Sequence, residues 1–190
     1  MNATLEGSGV AGKTVAVNGC GPIGLMNIAV AKHFGASKVI AIDTNPKRLE
    51  VALEMGADEA VNATAFDVVQ TVKALTQQQG CDVVFEYTGS VAGAQNAFLI
   101  LAVGAELKWC ATPNQAFEFD FGIWRKSRPT IFNVHGRQIW STWQITAPLV
   151  YEKKINLDPV ISHRLALQDA HRAFELVMVG EAIKPVIICE

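Results

Sequence analysis

The sequence predicts an α/β protein: a doubly wound, parallel, six-stranded sheet with helices on both faces, followed by a C-terminal helix-strand segment. Three observations predict this fold. Short apolar runs alternate with longer amphipathic stretches, as in successive β-α-β units. The run VIAI at 39–42 is apolar throughout, as expected of a strand covered on both faces. A cluster of glycines lies where the first strand meets the first helix, so the turn between them is tight.

The predicted elements carry consistent start and stop signals. In the second helix, for example, Asn45 can cap the first turn, Pro46 suits the first helical position, and Gly56 closes the helix. Parallel neighbours require right-handed crossovers, so the alternation predicts a parallel sheet. The predicted strands are 14–17, 39–42, 60–62, 82–87, 106–111 and TIFNVHG from 130, with extended segments at 160–162 and 185–189. The predicted helices are 22–34, 46–55, 66–78, 92–101 and 170–178, and residues 113–128 show no periodicity.

The composition argues against several classes of function. The 190 residues are 50% hydrophobic and carry 16 basic and 18 acidic side chains, with no run of Lys or Arg that could bind nucleic acid or an anionic membrane. The longest apolar stretch, 97–105, is about half of what a bilayer span needs, and no signal-peptide pattern is present. The four Cys and four His are scattered, so we expect no metal site from this chain alone. We expect a cytoplasmic protein.

The glycine cluster has the spacing of a dinucleotide-binding turn. In G-C-G-P-I-G at 19–24, Gly19 would permit the tight turn, Gly21 the close approach of a pyrophosphate, and Gly24 the packing of helix against strand. Pro22 suits the first helical turn, where its missing N–H is no loss. Free N–H groups and the positive end of the helix dipole would then meet the anion. Such a turn can also serve helix packing alone, so the pattern needs support from its context.

Asp43 provides that support, because it ends the second predicted strand 19 residues after Gly24. An acid at this position can accept hydrogen bonds from an adenosine ribose, and it would repel a 2'-phosphate, so we expect NAD rather than NADP. The alternative for Asp43 is a helix cap or turn residue. Lys47 and Arg48 follow closely, and each could be a solvated helix residue, a cation against the adenine, or a phosphate ligand.

Five stretches of the sequence carry a family resemblance. The stretches GCGPIGL, VIAIDTNPKRLEVALEMGADEAVN, CDVVFEYTGS, VHGR with TW beyond it, and VISHRLALQDAHRAFELVMVGEAIKPVI cover nearly the whole chain. Together they resemble the cofactor domain of medium-chain zinc-dependent alcohol dehydrogenases, and most of all the threonine 3-dehydrogenase and sorbitol dehydrogenase branch. The resemblance implies a Rossmann fold with NAD as cofactor.

The resemblance also implies roles for individual residues. The main chain of Gly21, Pro22 and Ile23 would meet the pyrophosphate, and Asp43 and Arg48 the adenosine. Thr88 and Gly89 would lie at the carboxyl end of the fourth strand, where such sheets receive ligands. The remaining candidates are Cys110 to Thr112 and Val134, His135 and Gly136, whose main chain would flank the nicotinamide, and Lys184, which is either a pyrophosphate ligand or a surface lysine.

The resemblance further implies that the chemistry lies elsewhere in a longer protein. In the family, a zinc ion on a separate lobe acts as the Lewis acid for the substrate oxygen, and no G-H-E stretch of that lobe occurs here. We therefore expect residues 1–12 to be a hinge segment, 13–156 an NAD-binding domain, and 157–190 a segment that rejoins the catalytic lobe. The chain alone should bind NAD(H) without turning over alcohol, and it should form a homodimer through the sixth-strand edge.

Two alternatives stay open. The chain could be a dinucleotide-sensing module without chemistry, or a methyltransferase that binds S-adenosylmethionine, although the Pro-Ile-Gly turn and the Thr-Gly after the fourth strand argue against the latter. His135 and His163 have no nearby nucleophile or carboxylate in sequence, so we expect structural roles for them. Threonine, a polyol and a simple alcohol all remain candidate substrates.

Overall fold

The computed structural model describes residues 1–136 and 138–189, and its central feature is a six-stranded parallel sheet. The strands are β1 (Thr14–Asn18), β2 (Lys38–Asp43), β3 (Glu59–Asn62), β4 (Cys81–Glu86), β5 (Leu101–Trp109) and β6 (Thr130–Asn133). They lie in the order β3-β2-β1-β4-β5-β6. The order therefore reverses between β1 and β4, and the crevice beyond the carboxyl ends of these strands is where doubly wound sheets bind ligands.

Helices cover both faces of the sheet. They are α1 (Asn2–Leu5), α2 (Pro22–His33), α3 (Pro46–Glu54), α4 (Val68–Leu75), α5 (Val91–Leu99), α6 (Phe121–Ser127), α7 (Ser141–Tyr151) and α8 (Ala170–Met178). Successive β1 side chains point to opposite faces, so Val15 packs with α2 and α3, and Ala16 packs with α4 and α5. A second, two-stranded parallel sheet, β7 (Ile161–Ala166) and β8 (Lys184–Ile188), follows the main one.

The predicted fold class is confirmed, and the differences are local. α4 begins at Val68 rather than at Phe66, because the Asp67 side chain caps the helix by accepting a hydrogen bond from Gln70 N–H. The stretch 113–128 contains α6, which no periodicity indicated because α6 buries none of its residues. α7 also went unpredicted; it buries only Thr142, and Pro148 lies within it. α3 is capped by Asn45 as expected.

None of the helices formed by the described residues has the length and apolar character that a bilayer crossing requires.

Candidate cofactor site

The glycine corner, defined as residues 19–24 between β1 and α2, combines two glycines fixed by packing with one that faces open space. Gly19 has φ +102°, and a Cβ there would lie 2.9 Å from Thr88 N. A Cβ on Gly24 would lie 1.9 Å from the Gly19 carbonyl oxygen. A Cβ on Gly21, by contrast, would meet nothing within 4 Å. The corner is thus tightly packed from below and open at Gly21.

The open side of the corner presents backbone donors. Pro22 begins α2, and Leu25 N–H donates to the Gly21 carbonyl as the first helical bond. Among the described residues, no protein acceptor receives the N–H of Gly21 or Ile23. The Ile23 side chain is 64% exposed, so it does not fill the corner. Unpaired N–H groups at the positive end of a helix form a site for an anion.

Asp43 ends β2 beside this corner and is almost fully buried. Its Oδ2 accepts a hydrogen bond from Cys20 N–H at 2.7 Å, and its Oδ1 accepts one from Asn45 N–H at 2.8 Å. Nη1 of Arg48 lies 4.0 Å from Oδ2, while Nε of Arg48 is buried without a hydrogen-bond partner. Each carboxylate oxygen can accept a second hydrogen bond. Asp43 therefore fixes the turn and still has acceptor capacity for a ribose hydroxyl.

A buried polar network lies between the ends of β1 and β4. Glu86 accepts hydrogen bonds from Asn18, Thr88 and Gly89. Burial raises the pKa of Glu86, although these donors oppose the shift. Sequence patterns singled out Thr88 and Gly89 but neither Asn18 nor Glu86. The sequence shows each residue as a polar side chain at the end of an apolar run, but the strand order that brings them together is seen only in the structure.

Three of the candidates for the nicotinamide end, Cys110, Val134 and Gly136, border a large apolar cavity. This cavity has a volume of about 600 Å³, and its walls include Ile23, Tyr87, Cys110, Val134 and Gly136 together with parts of α1, α2 and α7. The N–H of Cys110 donates to the Glu86 carbonyl, and the N–H of Val134 donates to the Trp109 carbonyl.

Burial raises the pKa of the Cys110 thiol to about 11, so this thiol is protonated near neutral pH. A protonated thiol is a weak nucleophile. His135 is exposed.

Lys184 is distant in sequence from the other candidates, but its segment packs beside the loop that follows Asp43. It is exposed at the start of β8, where it pairs with Ile161. The turn before it is attached to the start of α3, because Asn45 Nδ2 donates to the Gly180 carbonyl at 3.0 Å. Ala182 is fully buried. The C-terminal segment is thereby held next to the loop that follows Asp43.

The described residues do not provide a zinc site. Within residues 1–136 and 138–189, no three His, Cys, Asp or Glu side chains are close enough together to hold a metal ion. A zinc centre needs three or four such ligands. No catalytic step is therefore assigned to zinc on this chain.

Comparison with known proteins relates this fold and site to one family. Residues 22–152 match the family model described as zinc-binding dehydrogenase. L-threonine 3-dehydrogenase of Bacillus subtilis is 38% identical over 94% of this chain, and that of Bacillus licheniformis is 37% identical over the same share. The chain spans about half the length of these curated relatives, 52% in each case.

Solved structures give the same relationship. An alcohol dehydrogenase from Thermus sp. ATN1 superposes over 100% of this chain and 56% of its own, with a TM-score of 0.90 and 30% identity. An alcohol dehydrogenase from Thermotoga maritima covers 100% of this chain and 53% of its own, with a TM-score of 0.89 and 28% identity. The chain belongs to the zinc-binding dehydrogenase family, and its fold is that of the family's Rossmann cofactor-binding domain.

Proposed function

We propose that the chain binds NAD(H) as the cofactor-binding part of a dehydrogenase that oxidises an alcohol. The observation that carries this proposal is the glycine corner: open space at Gly21, next to unpaired N–H groups at the start of α2, fits a pyrophosphate. The nicotinamide ring supplies the hydride acceptor or donor when the cofactor is bound. The protein's part is to hold the cofactor and to keep its reactive ring at the apolar end of the crevice.

Asp43 supports NAD over NADP. Its carboxylate lies at the end of β2, almost fully buried, so a 2'-phosphate would bring negative charge against it in a partly desolvated place. Arg48 lies close enough to compensate only part of that repulsion, since its Nη1 is 4.0 Å from the same carboxylate. We therefore propose Asp43 as the ribose ligand and Arg48 as the residue beside the adenine.

Calorimetric titration of the chain with NADH, NADPH and S-adenosylmethionine tests the proposal. We expect NADH to bind at least about tenfold more tightly than NADPH, as one unfavourable charge contact of roughly 1.4 kcal/mol gives. S-adenosylmethionine should give no binding heat. Binding of S-adenosylmethionine without binding of NADH would replace the proposal with a methyltransferase.

The activity of the whole protein is a further proposal. The curated relatives above are L-threonine 3-dehydrogenases and the solved ones alcohol dehydrogenases, so we propose an alcohol, a polyol or threonine as substrate. In this proposal the zinc ligands lie outside residues 1–190, and the chain alone binds cofactor without turnover. The domain boundaries after residues 12 and 156 delimit the cofactor domain. The four cysteines are free thiols, which supports a cytoplasmic location.

We also propose a homodimer that pairs two β6 edges. β6 is the last strand of the sheet, and Ile131 on it is exposed, so the edge offers unpaired backbone groups and apolar surface to a second copy. Light scattering at micromolar concentration should give the mass of a dimer, and Ile131→Lys should shift it toward the monomer. A monomer of the unmodified chain at every concentration would contradict this assembly.

A further inference from the structure

We propose that Glu86 is a positioning residue for the dinucleotide: its buried carboxylate holds the Thr88–Gly89 loop against the glycine corner and so sets the width of the crevice where the strand order reverses. This inference rests on the proposed function, because it concerns the same crevice. It adds a residue that does not itself reach the ligand but determines where two ligand-facing segments lie.

The first argument is the number of donors that converge on Glu86, which is 1% exposed. Its Oε1 accepts from Thr88 N–H at 2.7 Å, Thr88 Oγ1 at 2.5 Å and Gly89 N–H at 3.3 Å. Its Oε2 accepts from Asn18 Nδ2 at 2.5 Å. Hydrogen bonds to an ionised acceptor are stronger than neutral ones. Three hydrogen bonds from residues 88–89 therefore end on this one carboxylate.

The second argument is where that loop lies. The main chain at Thr88 packs against Gly19, so closely that a Cβ on Gly19 would be 2.9 Å from Thr88 N. On its other side, Gly89 accepts a hydrogen bond from Asn114 N–H at 3.1 Å. The loop thus fills the space between the glycine corner and the segment after β5. A shift of the loop would change the width of the crevice midway between its adenosine end and its nicotinamide end.

The third argument is that the network extends to the neighbouring elements. Asn18 Nδ2 donates to the Gly93 carbonyl at 2.9 Å in addition to Glu86, and a Cβ on Gly93 would lie 2.0 Å from Thr88 Oγ1. The ends of β1 and β4 and the first turn of α5 are therefore held in one arrangement. Because every partner of Glu86 is a donor, a glutamine amide at this position would direct an NH₂ group at another donor.

The test compares Glu86→Gln with Glu54→Gln, a matched change of an exposed acid at the end of α3. Binding of NADH and of AMP is measured by calorimetry, and the melting temperature by circular dichroism. AMP should engage only the Asp43 end of the crevice. We expect Glu86→Gln to weaken NADH binding about tenfold, the effect of losing one charged hydrogen bond, while AMP binding changes less than about threefold and Glu54→Gln changes neither.

Failure of this inference is distinguishable from failure of the proposed function. If the unmodified chain does not bind NADH, the proposed function fails. If the unmodified chain binds NADH but Glu86→Gln binds it as tightly as Glu54→Gln does, or if NADH and AMP weaken by the same factor, the positioning role is overturned. Should Glu86→Gln not fold, Asn18→Leu takes its place: it removes a donor to Glu86 without changing residues 88–89, and the same selective loss of NADH affinity is expected.

Discussion

Replacing Gly21 with valine should leave the protein folded while weakening NADH binding about ten- to a hundredfold, the effect of losing one hydrogen bond to a charged group. Gly21 has φ −66°, which any residue adopts, and its Cβ would meet nothing within 4 Å. Stability therefore has little reason to change. A valine side chain would occupy the space in which the pyrophosphate approaches the N–H groups of α2. Calorimetry measures the affinity, and thermal unfolding checks the fold.

Gly24→Ala is the control, because even a single added carbon atom is expected to act on folding there. Its Cβ would lie 1.9 Å from the Gly19 carbonyl oxygen, a main-chain atom that cannot move without shifting β1 or α2. We expect a loss of about 3 kcal/mol in unfolding free energy or more. Equal melting temperatures for both variants, or unimpaired NADH binding by Gly21→Val, would contradict the assigned roles of these glycines.

The second large effect is expected at Glu106, the partner of a buried lysine. The Lys108 side chain is fully buried; its Nζ donates to Glu106 Oε2 at 2.5 Å and to the Glu6 carbonyl at 2.6 Å, and lies 3.7 Å from the centre of the Phe132 ring. Burial lowers the pKa of Lys108. Glu106→Gln would leave this ammonium without its carboxylate, and we expect unfolding free energy to fall by about 3–5 kcal/mol.

A double variant separates the missing charge from altered packing. Adding Lys108→Met to Glu106→Gln removes the uncompensated ammonium while keeping an unbranched side chain of similar length. Replacing a whole buried ion pair costs little, so the double variant should recover most of the lost stability in urea unfolding. A double variant as unstable as Glu106→Gln alone would show that the ion pair does not explain the loss.

The sheet and the glycine corner were predictable because their signals are local. Strands of the sheet are apolar runs a few residues long, and the corner's three glycines lie within six positions, 19–24. The backbone angles and close contacts that these elements require can therefore be recognised from the residue types at neighbouring positions. α7 was not predictable in this way: a helix that buries only Thr142 has no apolar stripe to mark it.

The polar networks were not predictable because their members are distant in sequence. Asn18 and Glu86 are 68 positions apart, and Glu6 and Lys108 are 102 apart. Neither pair follows a spacing that a helix or strand repeats, so only the folded topology brings them together. Asp43 shows an intermediate case. Its place after β2 was predicted, while its hydrogen bond to Cys20 N–H depends on how the corner folds back over the strand end.

The most direct measurement of the central claim, that the N–H groups at the glycine corner receive the pyrophosphate, is a titration of ¹⁵N-labelled protein with NADH, followed by the amide resonances of Gly21 and Ile23. Both resonances should move with the same saturation curve that calorimetry gives, and ADP should move them as well. If NADH binds while these two resonances stay in place and amides elsewhere respond, the corner is not the pyrophosphate site.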